Sequence, residues 1–314
     1  MSHALRKPNL FIIGAMKSGT TSLHEYLDTH PLIAMSRQKE PAYFVEELST
    51  NNSEEWYLNL FEQNDRYRYL GESSTHYSML PAFQGVPERL HRFNPDARLI
   101  YIMRNPFERT LSHYWHAVRT RKLRYGGGEP RPLLKAVREQ SRYLAFSDYA
   151  MQLEPYIERF GRDSLYVLTF EKLVEDPQRE VDHLYRWLDL PPHPLGDQAA
   201  QAHNQKPTEL ASAAGAGLLY RIQFSRAWDP ISSHVPAWMK RWAKRWAYRP
   251  IDDQQLSRDI KRLKVAIGDM QQRQIENLCR LLGRDFPEWQ TPDEPLPKSH
   301  ACSSSSSLRT HCPQ

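Results

Sequence analysis

Five residues that suit an anion stand together at Lys17-Ser18-Gly19-Thr20-Thr21, with Ser22 next, in the run LFIIGAMKSGTTSLHEYLDTHP over residues 10–31. Lys17 brings a full positive charge. Ser18, Thr20, Thr21 and Ser22 bring hydroxyl donors, and Gly19 lets the main chain come close to a ligand. A second group is Arg104-Asn105-Pro106, followed by Arg109 and Ser112. A guanidinium offers a planar fork for phosphate oxygens. A third is Glu40, in Lys39-Glu40-Pro41-Ala42-Tyr43-Phe44, with a single imidazole, His76, further on in Gly71-Glu72-Ser73-Ser74-Thr75-His76-Tyr77. An ionised carboxylate can take a proton from a hydroxyl or an amine. On the local sequence alone, Glu40 beside Lys39 reads first as a solvated surface pair, and His76 equally as a hydrogen-bonded structural histidine.

The surrounding patterns say what must position these groups. Leu10 to Ile13 is a short apolar, β-branched run, the signal of a buried strand, and Leu23, Tyr26 and Leu27 then recur at helical spacing until Pro31. The Lys17–Ser22 loop therefore sits on a helix N-terminus, where the first N–H groups lack partners and the macrodipole is positive, a favourable place for phosphate or sulfate. Leu99 to Met103 is a second buried strand with Arg104 at its tip. Pro106 or Phe107 then opens a helix with Leu111, Tyr114, Trp115 and Val118 inward. Ile33-Ala34-Met35 reads as a brief strand, and Pro41 biases Glu40 to an extended backbone.

Trp56, Tyr57, Leu60 and Phe61 form an aromatic helical patch. A helix is expected over 146–160, stopped by Gly161, then a strand over 165–170 and a helix opened by Asp176-Pro177. Residues 253–289 carry two helical patterns. Strands alternating with helices predict an α/β fold, a central parallel sheet flanked by helices, with both anion-binding groups at C-terminal strand ends.

The first loop is not a Walker A loop, which places its lysine directly after the second glycine; Lys17 precedes Gly19 by two positions. Gly14 to Leu23 instead resembles the 5′-phosphosulfate loop of the sulfotransferases that use 3′-phosphoadenosine 5′-phosphosulfate (PAPS). It is closest to the branch holding heparan sulfate and other carbohydrate sulfotransferases and their bacterial relatives. Lys39-Glu40-Pro41-Ala42-Tyr43-Phe44 matches that branch's K-E-P-x-x-F segment, and Gly71 to Tyr77 its G-E-x-[ST]-x-x-Y segment, which lines the acceptor cleft. Arg104, Pro106, Arg109, Ser112 and Tyr114 match its R-x-P-x-x-R-x-x-S-x-Y pattern. The likeness covers residues 8–190 and 250–289.

It implies a P-loop-like three-layer sandwich in which Lys17, Ser18, Gly19, Thr20, Thr21 and Ser22 hold the 5′-phosphosulfate and Arg104 and Ser112 the 3′-phosphate. Glu40 would be the general base, with His76 assisting it or binding acceptor, and Lys17 would stabilise the leaving oxygen. Arg109 is expected in a structural ion pair. The product would be adenosine 3′,5′-bisphosphate (PAP), the acceptor a saccharide hydroxyl or amine, and no metal is expected.

At 314 residues, with 40% hydrophobic and 25% charged, the chain suits one large domain, here expected over 1–290 with a variable acceptor or cover region at 191–250. The tail over 291–314, rich in Ser and Pro, is expected to be disordered. A net charge of +5 suits anionic ligands, and no signature of nucleic-acid binding is present. Cys279, Cys302 and Cys312 make no disulfide framework and no paired metal motif. With no signal-peptide core and no run of about 18 apolar residues, the expectation is a cytoplasmic protein of bacterial type.

Trp238, Trp242 and Trp246 form a helical stripe in a basic segment, 235–249, which suits packing on the body, covering acceptor, or peripheral contact with a membrane. Asn204-Gln205-Lys206 is a candidate donor contact, and 122–132 a lid or linker. Other readings of the chain are sulfation of a lipid or natural product, a P-loop kinase, and a non-enzymatic nucleotide-binding module. Oligomeric state is left open.

Overall fold

The computed structural model describes residues 5–49, 52–119, 129, 131–197, 211–212, 249–250 and 253–290. The Trp stripe at 235–249, Asn204-Gln205-Lys206, most of 122–132 and the tail over 291–314 lie outside the described residues.

The four apolar runs and one strand not read from the sequence, β3, make a five-stranded parallel sheet: β1 (Leu10–Gly14), β2 (Ile33–Met35), β3 (Tyr69–Ser73), β4 (Arg98–Met103) and β5 (Leu165–Thr169), in the order β2-β3-β1-β4-β5. Both faces of the sheet are buried, so β1, β2 and most of β4 read as continuous apolar runs rather than alternating ones, while β3 carries Glu72 and Ser73 into the interior. Phe11, Ile13, Leu99, Tyr101 and Met103 point to one face. There they pack against α4 (Val86–Phe93), α8 (Tyr149–Phe160) and the end of α11 (Asp253–Leu282). Leu10, Ile12, Ile100 and Ile102 point to the other, against α1 (Thr20–Asp28) and α10 (Pro177–Trp187). Helices, sheet and helices make the expected three-layer sandwich.

The strand order explains where a ligand fits. From β1 the chain passes through α1 to β2 on one side. From β4 it passes through α5 (Pro106–Arg119) and on to β5 on the other. β1 and β4 are neighbours, so the loops leaving them part in opposite directions and open a crevice between them. The two anion-binding groups stand on its two sides. The Ala15 N–H donates to the Ile102 carbonyl at 2.7 Å, tying the first loop to β4.

A satellite core joins α5, α6 (Leu133–Glu139) and α11 through Leu111, Tyr114, Leu133, Val137, Leu263 and Ile267. Three local expectations are corrected. The helix expected over 146–160 starts three residues later: α7 (Arg142–Ala145) is a separate short helix before it, and α8 starts at Tyr149 because the Asp148 side chain caps it, accepting from the Met151 N–H. The strand expected to reach Phe170 ends at Thr169, and α9 (Phe170–Glu175) begins at once. The two helical patterns over 253–289 are one 30-residue helix, α11, running through Gly268, followed by a 3₁₀ turn at Pro287–Trp289. A short antiparallel pair, Ala211–Ser212 with Arg249–Pro250, lies within the region read as variable.

Candidate active site

The first loop is built around backbone conformation. Lys17 and Gly19 both take left-handed φ, 70° and 94°. Among the described residues no side chain caps α1, so its leading N–H groups are left for another acceptor. Gly19 proves necessary for a reason beyond ligand approach. A Cβ there would lie 2.6 Å from the Phe170 ring, at the start of α9. Phe170 also carries the Arg104 guanidinium, 5.2 Å from its centroid. One ring thus lies against both loops. Ser18 is fully buried and close to the Tyr149 phenol, while Thr21 is exposed.

At the second tip, Arg104 pairs loosely with Glu108 at 3.3 Å, and its buried Nε has no hydrogen-bond partner among the described residues. A buried guanidinium N–H left unmatched suits an anion, and this orphaned donor is what a phosphate oxygen would satisfy. Asn105 opens α5, its Oδ1 accepting from the Phe107 and Glu108 N–H groups at 3.0 and 3.2 Å. Ser112, half-exposed, lies on α5 next to His113. Burial holds His113 well below its ordinary pKa, and the charges of Arg109, Arg142, His116 and Lys17 push it the same way.

Arg109 is a correction. It is fully buried and makes no ion pair among the described residues. Its guanidinium donates to the Ser147 hydroxyl and the Tyr143 carbonyl, both at 2.5 Å, and approaches His113 Nδ1 at 3.5 Å. Burial lowers its pKa. It braces α5 against α7 from beneath the tip.

Glu40 sits where the third group was expected, though not as its backbone was read. Its φ is +58°, left-handed rather than extended, and Ala42 follows at +52°. Tertiary bonds override the local preference imposed by Pro41. The Glu40 N–H donates to the Ser73 carbonyl at 2.9 Å, and the Ala42 N–H to the Ser74 hydroxyl at 3.0 Å. The Glu40 carboxylate accepts from the Thr75 hydroxyl at 3.2 Å and from Lys39 Nζ at 3.2 Å. His76 Nδ1 stands 3.6 Å from its other oxygen. Glu40 keeps a third of its side chain exposed, so an acceptor can reach it.

The G-E-x-[ST]-x-x-Y segment was expected to line the acceptor cleft. Its lettered positions instead face inward. Glu72 is fully buried and accepts from the Tyr57, Tyr77 and Ser74 hydroxyls at 2.7, 2.6 and 2.8 Å. Burial raises its pKa to about 7, although those three bonds pull it down. Ser74 joins this carboxylate to the Glu40–Ala42 turn, and only Thr75 and His76 turn towards Glu40. Thr75, Tyr149 and Asn105 were not singled out from sequence. Their roles come from contacts 35 to 66 residues distant, with no local pattern to betray them.

A description of the sulfotransferase domain family matches residues 7–211. With the five-stranded parallel sheet and the two loops at its switch point, this shows that the chain belongs to the PAPS-dependent sulfotransferase family, a family of transferases. The chain is 39% identical over 114 residues to the membrane-associated sulfotransferase kil1 of Dictyostelium discoideum, covering 35% of this chain and 23% of that protein. To heparan sulfate glucosamine 3-O-sulfotransferase 5 of Homo sapiens it is 27% identical over 191 residues, covering 59% and 54%. To the bifunctional heparan sulfate N-deacetylase/N-sulfotransferase 4 of Mus musculus it is 29% identical over 204 residues, covering 59% and 23%. The chain thus spans about half or less of the length of these relatives. A solved sulfotransferase from Alicyclobacillus acidocaldarius shares the fold, with a TM-score of 0.61 at 22% identity over 90% of this chain and 99% of that one. Among the described residues no helix is long and apolar enough to cross a membrane.

Proposed function

We propose that the protein transfers a sulfonate group from PAPS to a hydroxyl or amine of a saccharide. The observation that carries this reading is the pairing of the uncapped, Lys17-bearing loop with the orphaned Arg104 donor across the β1/β4 crevice. When bound, the donor supplies an activated sulfonate whose acceptance breaks the bond from sulfur to the 5′-phosphate oxygen and leaves PAP.

The chain's own groups divide the rest of the work. The first N–H groups of α1 and the hydroxyls of Ser18, Thr20, Thr21 and Ser22 hold the phosphosulfate end. Lys17 offsets the negative charge that grows on the bridging oxygen, an electrostatic contribution made at the transition state. Arg104 and Ser112 hold the 3′-phosphate and so fix the reacting end by position. Glu40 removes the acceptor proton. Thr75 and Lys39 keep its carboxylate aimed, and His76, beside its second oxygen, assists.

A saccharide acceptor is supported by the heparan sulfate relatives. Incubation with sulfur-35 PAPS and a panel of desulfated heparan sulfate oligosaccharides, lipids and phenols tests the reading. Labelled saccharide and stoichiometric PAP are expected. Label in lipid or phenol alone would move the acceptor class, and ADP formed from ATP would replace the reading with phosphoryl transfer.

A further inference from the structure

The 3₁₀ turn after α11 lies beyond the matched residues 7–211, yet it is seated on the second tip. Trp289 is buried, and its indole Nε1 donates to Glu171 Oε2 at 3.0 Å. The other oxygen of Glu171 accepts from the Asn105 N–H at 2.9 Å, and Asn105 Nδ2 donates to the Trp289 carbonyl at 3.2 Å. These three bonds close a ring through Asn105, Glu171 and Trp289. A second route runs through Tyr149. Its hydroxyl donates to the Arg104 carbonyl at 2.6 Å and accepts from the Arg104 N–H at 3.3 Å, and its ring lies 6.0 Å from that of Trp289. Phe286 stacks on Trp289 from below, and Glu288 accepts from the Thr169 hydroxyl at 2.8 Å.

We propose that Trp289 is a positioning residue for donor binding: through Glu171 and Tyr149 it fixes the Arg104–Asn105 main chain so that the Arg104 guanidinium stands ready for the ribose 3′-phosphate. This rests on the reading of Arg104 given above. The charge of Glu171 argues for geometry. A carboxylate one residue's reach from a phosphate site repels the ligand, so its place there is explained by the two N–H groups it gathers. The sign of one substitution separates the two effects. Glu171→Gln removes the repulsion, which alone would tighten binding. It also presents an amide N–H to one of two donors, which loosens the tip.

The test is calorimetric titration of the full chain with PAP, well below the melting temperature of each variant. Trp289→Phe keeps the ring and deletes the Nε1–H. It and Glu171→Gln should each weaken PAP binding by about tenfold, the loss expected for one charge-assisted hydrogen bond. An unchanged dissociation constant in folded Glu171→Gln and Trp289→Phe overturns the proposal, as does tighter binding by Glu171→Gln. Should Trp289→Phe not fold, Glu171→Gln decides alone. An Arg104→Ala variant that binds PAP as well as the parent would instead sink the donor-site reading itself, so the two failures are told apart.

Discussion

The Glu40 N–H donates to the Ser73 carbonyl at 2.9 Å, and that bond hangs the candidate base on the tip of β3. The carboxylate is then aimed by Thr75 and faced by His76, all on the loop leaving the same strand. Glu40 is held by residues that have no part in gripping a nucleotide, so its chemistry and donor binding should separate on mutation.

Glu40→Gln is expected to reduce turnover by about 100-fold or more, the usual loss for a general base. PAP affinity should stay within about twofold of the parent, since the two tips are untouched. Rate measurements beside calorimetry check this, and a large loss of PAP binding would reassign the residue.

Arg104→Ala should mainly weaken binding, raising the PAP dissociation constant about 10- to 100-fold, because a charge-assisted pair to phosphate is lost. Lys17→Ala should mainly lower the rate constant of transfer, by about 100-fold, because its charge meets one that grows only as the bond breaks. Comparing kcat with the PAP dissociation constant for the two variants checks the division.

Gly19→Ala should destabilise the fold by about 1–3 kcal/mol, from a left-handed backbone and an overpacked contact. The new methyl would meet the Phe170 ring at 2.6 Å, on a residue whose φ is 94°. Thermal melts of the unliganded protein should show the loss, and Phe170→Leu in the same chain should recover part of it.

Glu72 makes stability depend on pH in an unusual direction for a carboxylate. Its pKa is raised from 4.5 to about 7 in the folded chain, first by burial. Below about pH 4.5 folded and unfolded chains both hold the proton, and between about 4.5 and 7 only the folded chain does. Stability therefore falls as pH rises through that window and is flat above it, a difference on the order of 3 kcal/mol. Glu72→Gln should lift this dependence, so its melting temperature should gain on the parent between pH 5 and 8. Parallel curves would show that Glu72 titrates as an ordinary carboxylate.

Four of the five strands and the two strand-loop-helix units were legible because their signals are local, whereas β3, with the sequence YLGES, has no apolar run and was not read as a strand. Apolar runs of four or five residues ended by Gly14 or Arg104, and helical spacing after each, are short-range patterns. Glu40 was legible only through the K-E-P-x-x-F likeness, and its left-handed backbone was not, since the bonds that impose it come from Ser73 and Ser74. Arg109 was expected to find a carboxylate. It found the imidazole of His113 one helical turn on, and a hydroxyl and a carbonyl on Ser147 and Tyr143, partners that no spacing rule links to it. Burial of Glu72 likewise depends on Tyr57, 15 residues away on another element. The unbroken α11 defied its Gly268, whose cost of about 1 kcal/mol in a helix is outweighed by packing at both ends.

The ring of Phe170 bears on both Gly19 and Arg104. The loops leaving β1 and β4, which the proposed function sets at the two ends of the donor, therefore do not vary freely of each other. A change in backbone path at either would press on the shared ring and be transmitted across the crevice. Donor preference in this chain should thus shift as a unit, and swapping one loop from a relative should succeed only when residue 170 travels with it.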